Sequence, residues 1–141
     1  MSTISSGSSG LTWTSDNSSN LAITLTSIVD NTGNTVTGST VVKGSAKAWV
    51  NFNGTTSPGT IRGSFNVASV TRTATGVYVV NFTTPMSDAN YAVSTIGNNT
   101  SSNILFASLN GAPTTANCPV QSYSTTVNVN VDYFMFVVNG S

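Results

Sequence analysis

The sequence predicts an all-β fold, an antiparallel β-sandwich or jelly roll. Three observations predict it: runs of alternating apolar and polar residues, Gly/Pro/Asn/Asp turn signals between those runs, and no segment of helical composition. β-Branched residues and Gly are frequent throughout, while Leu, Lys and Arg are scarce and Glu is absent, so no stretch has strong helix propensity. A chain of 141 residues has room for one domain of ordinary size.

Residues 1–20 are mostly Ser, Gly, Thr and Asn, with Ile4, Leu11 and Trp13 as isolated apolar anchors. They read as an extended arm that cannot fold alone, ahead of a single β domain over 21–141. Leu21, Ile23 and Leu25 open the period-2 pattern, and Asp30-Asn31-Thr32-Gly33-Asn34 supplies a turn. In the next run Ala46, Ala48, Val50 and Phe52 share one face, and Lys47, Trp49, Asn51 and Asn53 share the other. Residues 54–59, with Pro58, make a loop. Ile61, Phe65 and Val67 mark a further strand, and 73–76 turn the chain. Tyr78, Val80 and Phe82 alternate through 77–83, which Pro85 ends. Two strands over 91–96 and 103–109 flank the polar loop 97–102, and 110–119, with Gly111, Pro113 and Pro119, reads as loop. The last strand is the clearest. Val127, Val129, Val131, Tyr133, Met135 and Val137 form one apolar face, while the other changes from Thr126, Asn128, Asn130 and Asp132 to Phe134, Phe136 and Val138. That second half must be covered on both sides, by another sheet or another subunit.

The chain is 38% hydrophobic but only 6% charged, with zero formal net charge and no His. Ordinary soluble proteins are about 25% charged. A neutral monomer has little charge repulsion between copies, a difficulty that life inside an assembly removes. The bases Lys43, Lys47, Arg62 and Arg72 are scattered, which argues against nucleic-acid binding. The single Cys118 has no internal disulfide partner and no adjacent base, so it reads as a passive thiol. The start of the chain lacks a charged n-region and an apolar h-region, so synthesis in a cytoplasm without a signal peptide is expected. The apolar run at 133–138 is too short to cross a bilayer as a helix, and no membrane insertion is expected.

Catalysis has little to build on. Without His, Ser–His and Cys–His pairs are unavailable. A carboxylate pair would have to come from Asp88 and Asp132, which no spacing relates, and Asp88 in Met86-Ser87-Asp88-Ala89-Asn90 reads as a turn cap. One Cys and four dispersed Asp match no metal-ligand spacing. No catalytic residue, metal or cofactor is expected.

The segment Lys43-Gly44-Ser45-Ala46-Lys47-Ala48-Trp49-Val50-Asn51-Phe52-Asn53-Gly54 resembles a K-x-x-x-K-A-W-V-N-F-N-G stretch of phage tail-fibre and related virion proteins. Two further blocks follow in the same order. Ser64-Phe65-Asn66-Val67-Ala68-Ser69-Val70 is similar to S-F-N-V-S-S-V, and residues 76–91 are similar to G-x-Y-x-V-N-F-T-x-x-M-x-D-A-N-Y. The resemblance covers roughly residues 40–95 and points to tailed phages of aquatic bacteria. It implies a β-rich, usually trimeric, non-enzymatic domain in the virion. The expected role is a tail-fibre or receptor-binding component mediating host attachment. Alternatives are a capsid decoration protein and a stand-alone carbohydrate-binding module. Expected partners are copies of itself as a homotrimer, other virion proteins, and a host-surface glycan or protein.

Receptor contacts are expected on loops, at Asn98, Asn99, Ser102, Asn103 and Asn117. Subunit contacts are expected at Trp13, Trp49, Phe134 and Phe136, since aromatics concentrate in interfaces. Trp49, on the polar side of its strand, also fits a stacking platform for a sugar ring.

Overall fold

The computed structural model describes residues 27–29, 32–33, 35–37, 40–41, 44–100 and 105–140. The arm predicted over 1–20, the run at 21–25, and the candidates Trp13, Ser102 and Asn103 lie outside these residues. The chain divides into two units, Met1–Thr37 and Gly38–Ser141. In the first, β1 (Ser27–Val29) and β2 (Thr35–Thr37) pair antiparallel with Ile28 opposite Val36. Of the predicted turn between them, Thr32 and Gly33 are described, and Gly33 takes φ +88°, a conformation that its missing Cβ permits.

Among its described residues the second unit is all-β apart from helical positions at 40–41 and 44, where the Ser45 N–H donates to Val41 O at 3.1 Å. Eight strands form two antiparallel four-stranded sheets. They are β3 (Ala46–Asn53), β4 (Thr60–Phe65), β5 (Val67–Ala74), β6 (Val77–Phe82), β7 (Ala92–Asn98), β8 (Phe106–Leu109), β9 (Asn117–Tyr123) and β10 (Tyr133–Asn139). One sheet runs β4-β3-β10-β7 and the other β5-β6-β9-β8. Their inner faces pack together as a sandwich, the predicted fold class. Alternation decides which side chains meet: Ala48, Val50, Phe52, Phe134, Phe136 and Val138 from one sheet face Val70, Tyr78, Val80, Cys118 and Val120 from the other. Phe52 and Phe134 stack at 5.0 Å, and Tyr78 meets both edge-on at 5.1 and 5.7 Å.

Three predicted elements change. The run through Ile61, Phe65 and Val67 is two strands, not one. Asn66 between them takes φ +54°, and the chain passes from one sheet to the other. Its Nδ2 donates to Lys47 O (3.2 Å) and Thr84 O (3.1 Å), and its Oδ1 accepts from Thr84 N–H (2.7 Å), which holds the corner. Asn tolerates this region better than branched residues do.

Residues 117–123, the first three of them read as loop, form the internal strand β9 despite Pro119. Pro119 accepts the Asn110 N–H at 3.0 Å on its β8 side, and β8 ends at Leu109. The proline nitrogen faces that same side, beyond the last residue of β8, so its missing N–H falls at the end of the β8 ladder and leaves the pairing with β6 intact.

The last strand begins at Tyr133, not near Thr126. After β9 the chain turns at Ser124–Val127, closed by the Ser124 N–H to Val127 O at 2.8 Å, and then crosses to the other sheet. Val127 is exposed and Val131 is buried with Phe134, so the single continuous face expected from Val127 to Val137 does not exist. The crossover is pinned by Ser122 Oγ donating to Val129 O (2.6 Å), Val129 N–H to Ser122 O (3.0 Å) and Gly76 N–H to Asn130 Oδ1 (2.8 Å). Gly76 takes φ +66°, and a Cβ there would lie 2.5 Å from Ser122 O and 2.7 Å from Val129 N.

Replacing Gly76 by Ala therefore combines left-handed strain with a backbone collision. A loss of at least about 2 kcal/mol in urea unfolding is expected. Gly44→Ala, with nothing near the added methyl and no positive φ, is the control and should stay within about 0.5 kcal/mol.

Candidate functional site

The outer face of β4-β3-β10-β7 is the distinctive surface of the sandwich. Register places Phe65 opposite Trp49, Trp49 opposite Val137, and Val137 opposite Ser94. In the next row Gly63, Asn51, Met135 and Ile96 lie side by side across the four strands. Trp49 is 40% exposed, Phe65 55% and Ile96 57%, with Tyr133 and Met135 close to 40%. Trp49 leans over Gly63, where an added Cβ would touch its ring at 3.5 Å. A shallow groove of ≈ 190 Å³ is lined by Ser94, Thr95, Ile96, Met135 and Val137.

Polar groups surround this centre. Lys47 and Asn139 lie at one margin, and Asn53, Thr60 and Asn98 at the other. Arg62 reaches across the sheet, its guanidinium 4.2 Å from the centre of the Tyr133 ring, and Nη1 donates to Asp132 O at 2.6 Å. Asn51, in the middle, is the one polar side chain of the apolar rows on the central strands. Its Oδ1 is shut from solvent without a hydrogen-bond partner.

Among the predicted contact residues, Trp49 lies on this face. Phe134 and Phe136 do not: both are wholly buried between the two sheets, so they are core residues and not subunit contacts. Their sister positions Tyr133 and Met135 point outward instead, because neighbours along a strand face opposite ways. Phe65 and Ile96 had no local signal, since only the cross-strand register brings them to Trp49.

The predicted receptor loops divide between the two ends of the sandwich. Asn98, exposed, and Asn99, half-buried, sit beside the start of β10, with Tyr133 opposite Asn98. Loop 54–59 lies at that same end, through the Gly54 N–H donating to Val131 O at 2.8 Å. Asn117 is at the other end of β7, where Tyr91 Oη donates to Asn117 O (3.2 Å) and Thr114 O (2.8 Å). Those positions are roughly 20 Å apart along a seven-residue strand, so they do not form one site.

The two described aspartates are similarly parted. Asp88 Oδ1 accepts the Asn90 N–H at 2.6 Å, the turn role predicted for it. Asp132, at the opposite end, accepts Thr100 N–H (2.9 Å) and Oγ1 (2.8 Å) through Oδ2, and these bonds lower its pKa.

Cys118 is fully buried, and burial raises its thiol pKa from 9.0 to about 11. At pH 8 only about one molecule in a thousand carries a thiolate there. A thiol reagent should leave the native protein unlabelled and react once it is unfolded. Burial also raises the pKa of Tyr78 and of Tyr91. All three groups hold their protons more tightly when folded, so the unfolded chain deprotonates first. Stability should be level from pH 6 to 8 and decline as pH rises from about 9 towards 11, measured by urea unfolding, and Cys118→Ala should reduce the slope.

Comparison with protein-family models, with curated proteins and with solved structures finds no match for this chain.

Proposed function

We propose that this protein is a non-enzymatic structural component of a bacteriophage virion, a tail-fibre or receptor-binding subunit that works as a homotrimer. The observation that carries this reading is the uncharged apolar centre on the outer face of β4-β3-β10-β7. Trp49 and Asn51 in that centre belong to the segment that resembles tail-fibre proteins, and Phe65 belongs to the next block of the resemblance. Monomeric proteins rarely expose an apolar patch beyond about 300–600 Å², and one of that size tends to be functional. In this reading the chain reaches the particle by assembly, with no cofactor, and neighbours there are its own copies and other virion proteins. Host contact falls to the loop end that carries Asn98 and Asn99, where residues 54–59 are tied by Thr55 N–H to Asn53 Oδ1 (2.9 Å) and Arg72 Nη1 to Thr55 O (3.0 Å). A host-surface glycan or protein is the partner at that end.

A second reading, capsid decoration, is favoured by the division of the chain at residue 37, since a separate leading unit suits a protein that laces across neighbouring capsomers.

Two measurements decide. Excess purified protein should lower adsorption of the phage to its host, and unchanged adsorption overturns the receptor-binding role. Quantitative mass spectrometry of purified virions should find copies on the order of tens for a tail part, whereas hundreds would place the chain on the head.

A further inference from the structure

We infer that the outer face of β4-β3-β10-β7 is closed by further copies of this same chain, with Asn51 bonding to Asn51 of its neighbours at the centre of the contact. This rests on the assembly reading and specifies the surface and the residue that perform it.

Four observations favour a copy of the chain over other occupants. The face has the anatomy of a protein interface: Trp49, Phe65, Met135, Val137 and Ile96 in the centre, amides, Lys47 and Arg62 at the margin. Trp, Tyr, Phe, Met and Arg are the residues enriched in such contacts. Its size also fits. At 150–250 Å² for a whole aromatic side chain, the exposed parts of Trp49, Phe65, Ile96, Tyr133 and Met135 present on the order of 450 Å². A stable interface takes about 800 Å² from each partner, which the margin can complete.

Charge gives the third argument. Arg62 already lies over Tyr133 and bonds Asp132 O, and Lys47 is at the far margin, so no ionic group occupies the centre. Two such faces can approach without like charges meeting, whereas a polyanion would find nothing to hold it. A sugar is poorly served as well. The groove beside Ile96 is shallow and mainly apolar, and the only side-chain hydroxyls lining it are those of Ser94 and Thr95.

Asn51 is the fourth. Buried polar atoms nearly always have partners, and Asn51 Oδ1 has none. A carboxamide carries both a donor and an acceptor, so identical amides around a symmetry axis satisfy one another in a closed ring. Oδ1 is covered in the single chain, so the contact requires a rotation about χ2 that lays the amide along the face with Oδ1 and Nδ2 both outward, which the broad terminal amide torsion permits. A second copy therefore brings the complementary group without any further residue being needed. A lone polar residue of this kind at an apolar seam also sets register.

The test uses the full chain and sedimentation velocity across a concentration series. The wild-type protein should sediment as one defined oligomer. Asn51→Asp keeps the shape but brings carboxylates together on the axis, so association at pH 7 should weaken at least tenfold and recover as the pH falls through about 4, where the carboxyls take up protons. Trp49→Ser combined with Ile96→Ser should give monomers with an unchanged far-ultraviolet circular dichroism spectrum. Ser69→Asp, on the exposed side of the other sheet, should leave assembly unchanged. A wild-type chain that stays monomeric, or an Asn51→Asp oligomer as tight at pH 7 as the wild type, overturns the assignment of this face. An oligomer indifferent to these substitutions, from a chain still found in purified virions, removes the face and leaves the virion reading standing. A chain missing from virions removes that reading whatever the face does.

Discussion

The sandwich depends on one aromatic contact across its two sheets. Phe52 on β3 and Phe134 on β10 stack side by side, and Tyr78 on β6 meets both with its ring edge. Each such pair contributes about 1 kcal/mol beyond the area buried. The contact also settles topology, because β3 and β10 are the first and last strands of the unit and must find each other across 79 intervening residues. Tyr78 brings a hydroxyl into this apolar centre, which would be costly alone. It donates to Gly54 O at 3.2 Å, and Gly54 accepts the approach because a Cβ there would collide with the tyrosine. Gly54 N–H in turn donates to Val131 O, which leads the chain into β10. Aromatic packing and the loop end that closes over it are therefore one construction.

The few ionic groups are used in the same way. Arg62, Arg72, Asp88 and Asp132 each hold a backbone atom of a loop or turn: Asp132 O, Thr55 O, Asn90 N–H and Thr100 N–H. Crossovers that ion pairs secure in a more charged protein are held here by Asn66, Asn130 and Ser122. A sequence with so few charges thus commits most of the described ones to its own loops and leaves the centres of its sheet faces uncharged. That makes the outer faces the surfaces where neutral contact is possible, and it explains why a zero net charge and a well-ordered fold are compatible in one chain.

Much of this was legible in the residues. Period-2 alternation placed Ala48, Val50 and Phe52 inward and Trp49 outward, and it gave the right strand for 77–82. It failed where one residue overrides the pattern. Asn66 splits a strand by turning left-handed, which alternation does not register. Pro119 argued against β9 because the end of β8, where its missing N–H is harmless, is a tertiary fact. Val127 and Val129 continued the phase of Tyr133 and Met135, but a turn at Ser124–Val127 and the ties to Ser122 shift Val131 into the core. The apolar composition of both faces near residue 134 was readable, and so was the need to cover each. Which face meets the other sheet was not, since Phe134 and Met135 are equally plausible core residues until the register with Phe52 and Asn51 is known.

That last ambiguity bears on function. The two outer faces of one sandwich experience the same solvent, yet they differ in kind. On β5-β6-β9-β8, Asn81 Nδ2 donates to Ser69 Oγ (3.0 Å) and Thr71 Oγ1 (3.2 Å), and Gln121 Nε2 donates to Ser108 Oγ (3.2 Å), so polar side chains satisfy one another across the strands. The exposed Phe106 there stacks on its cross-strand neighbour Tyr123 at 5.5 Å, which accounts for it as a strand-pairing contact. On β4-β3-β10-β7 the corresponding rows hold Trp49, Val137, Met135 and Ile96 around an amide whose carbonyl has no partner. Fold stability requires only the inner faces to be apolar, and on β5-β6-β9-β8 these hydroxyls and amides share the outer face with the half-buried Val77, Val79 and Pro119. The face of β4-β3-β10-β7 differs in leaving its large apolar groups open to solvent: Trp49, Phe65, Ile96 and Met135 are all exposed around the one unpartnered amide.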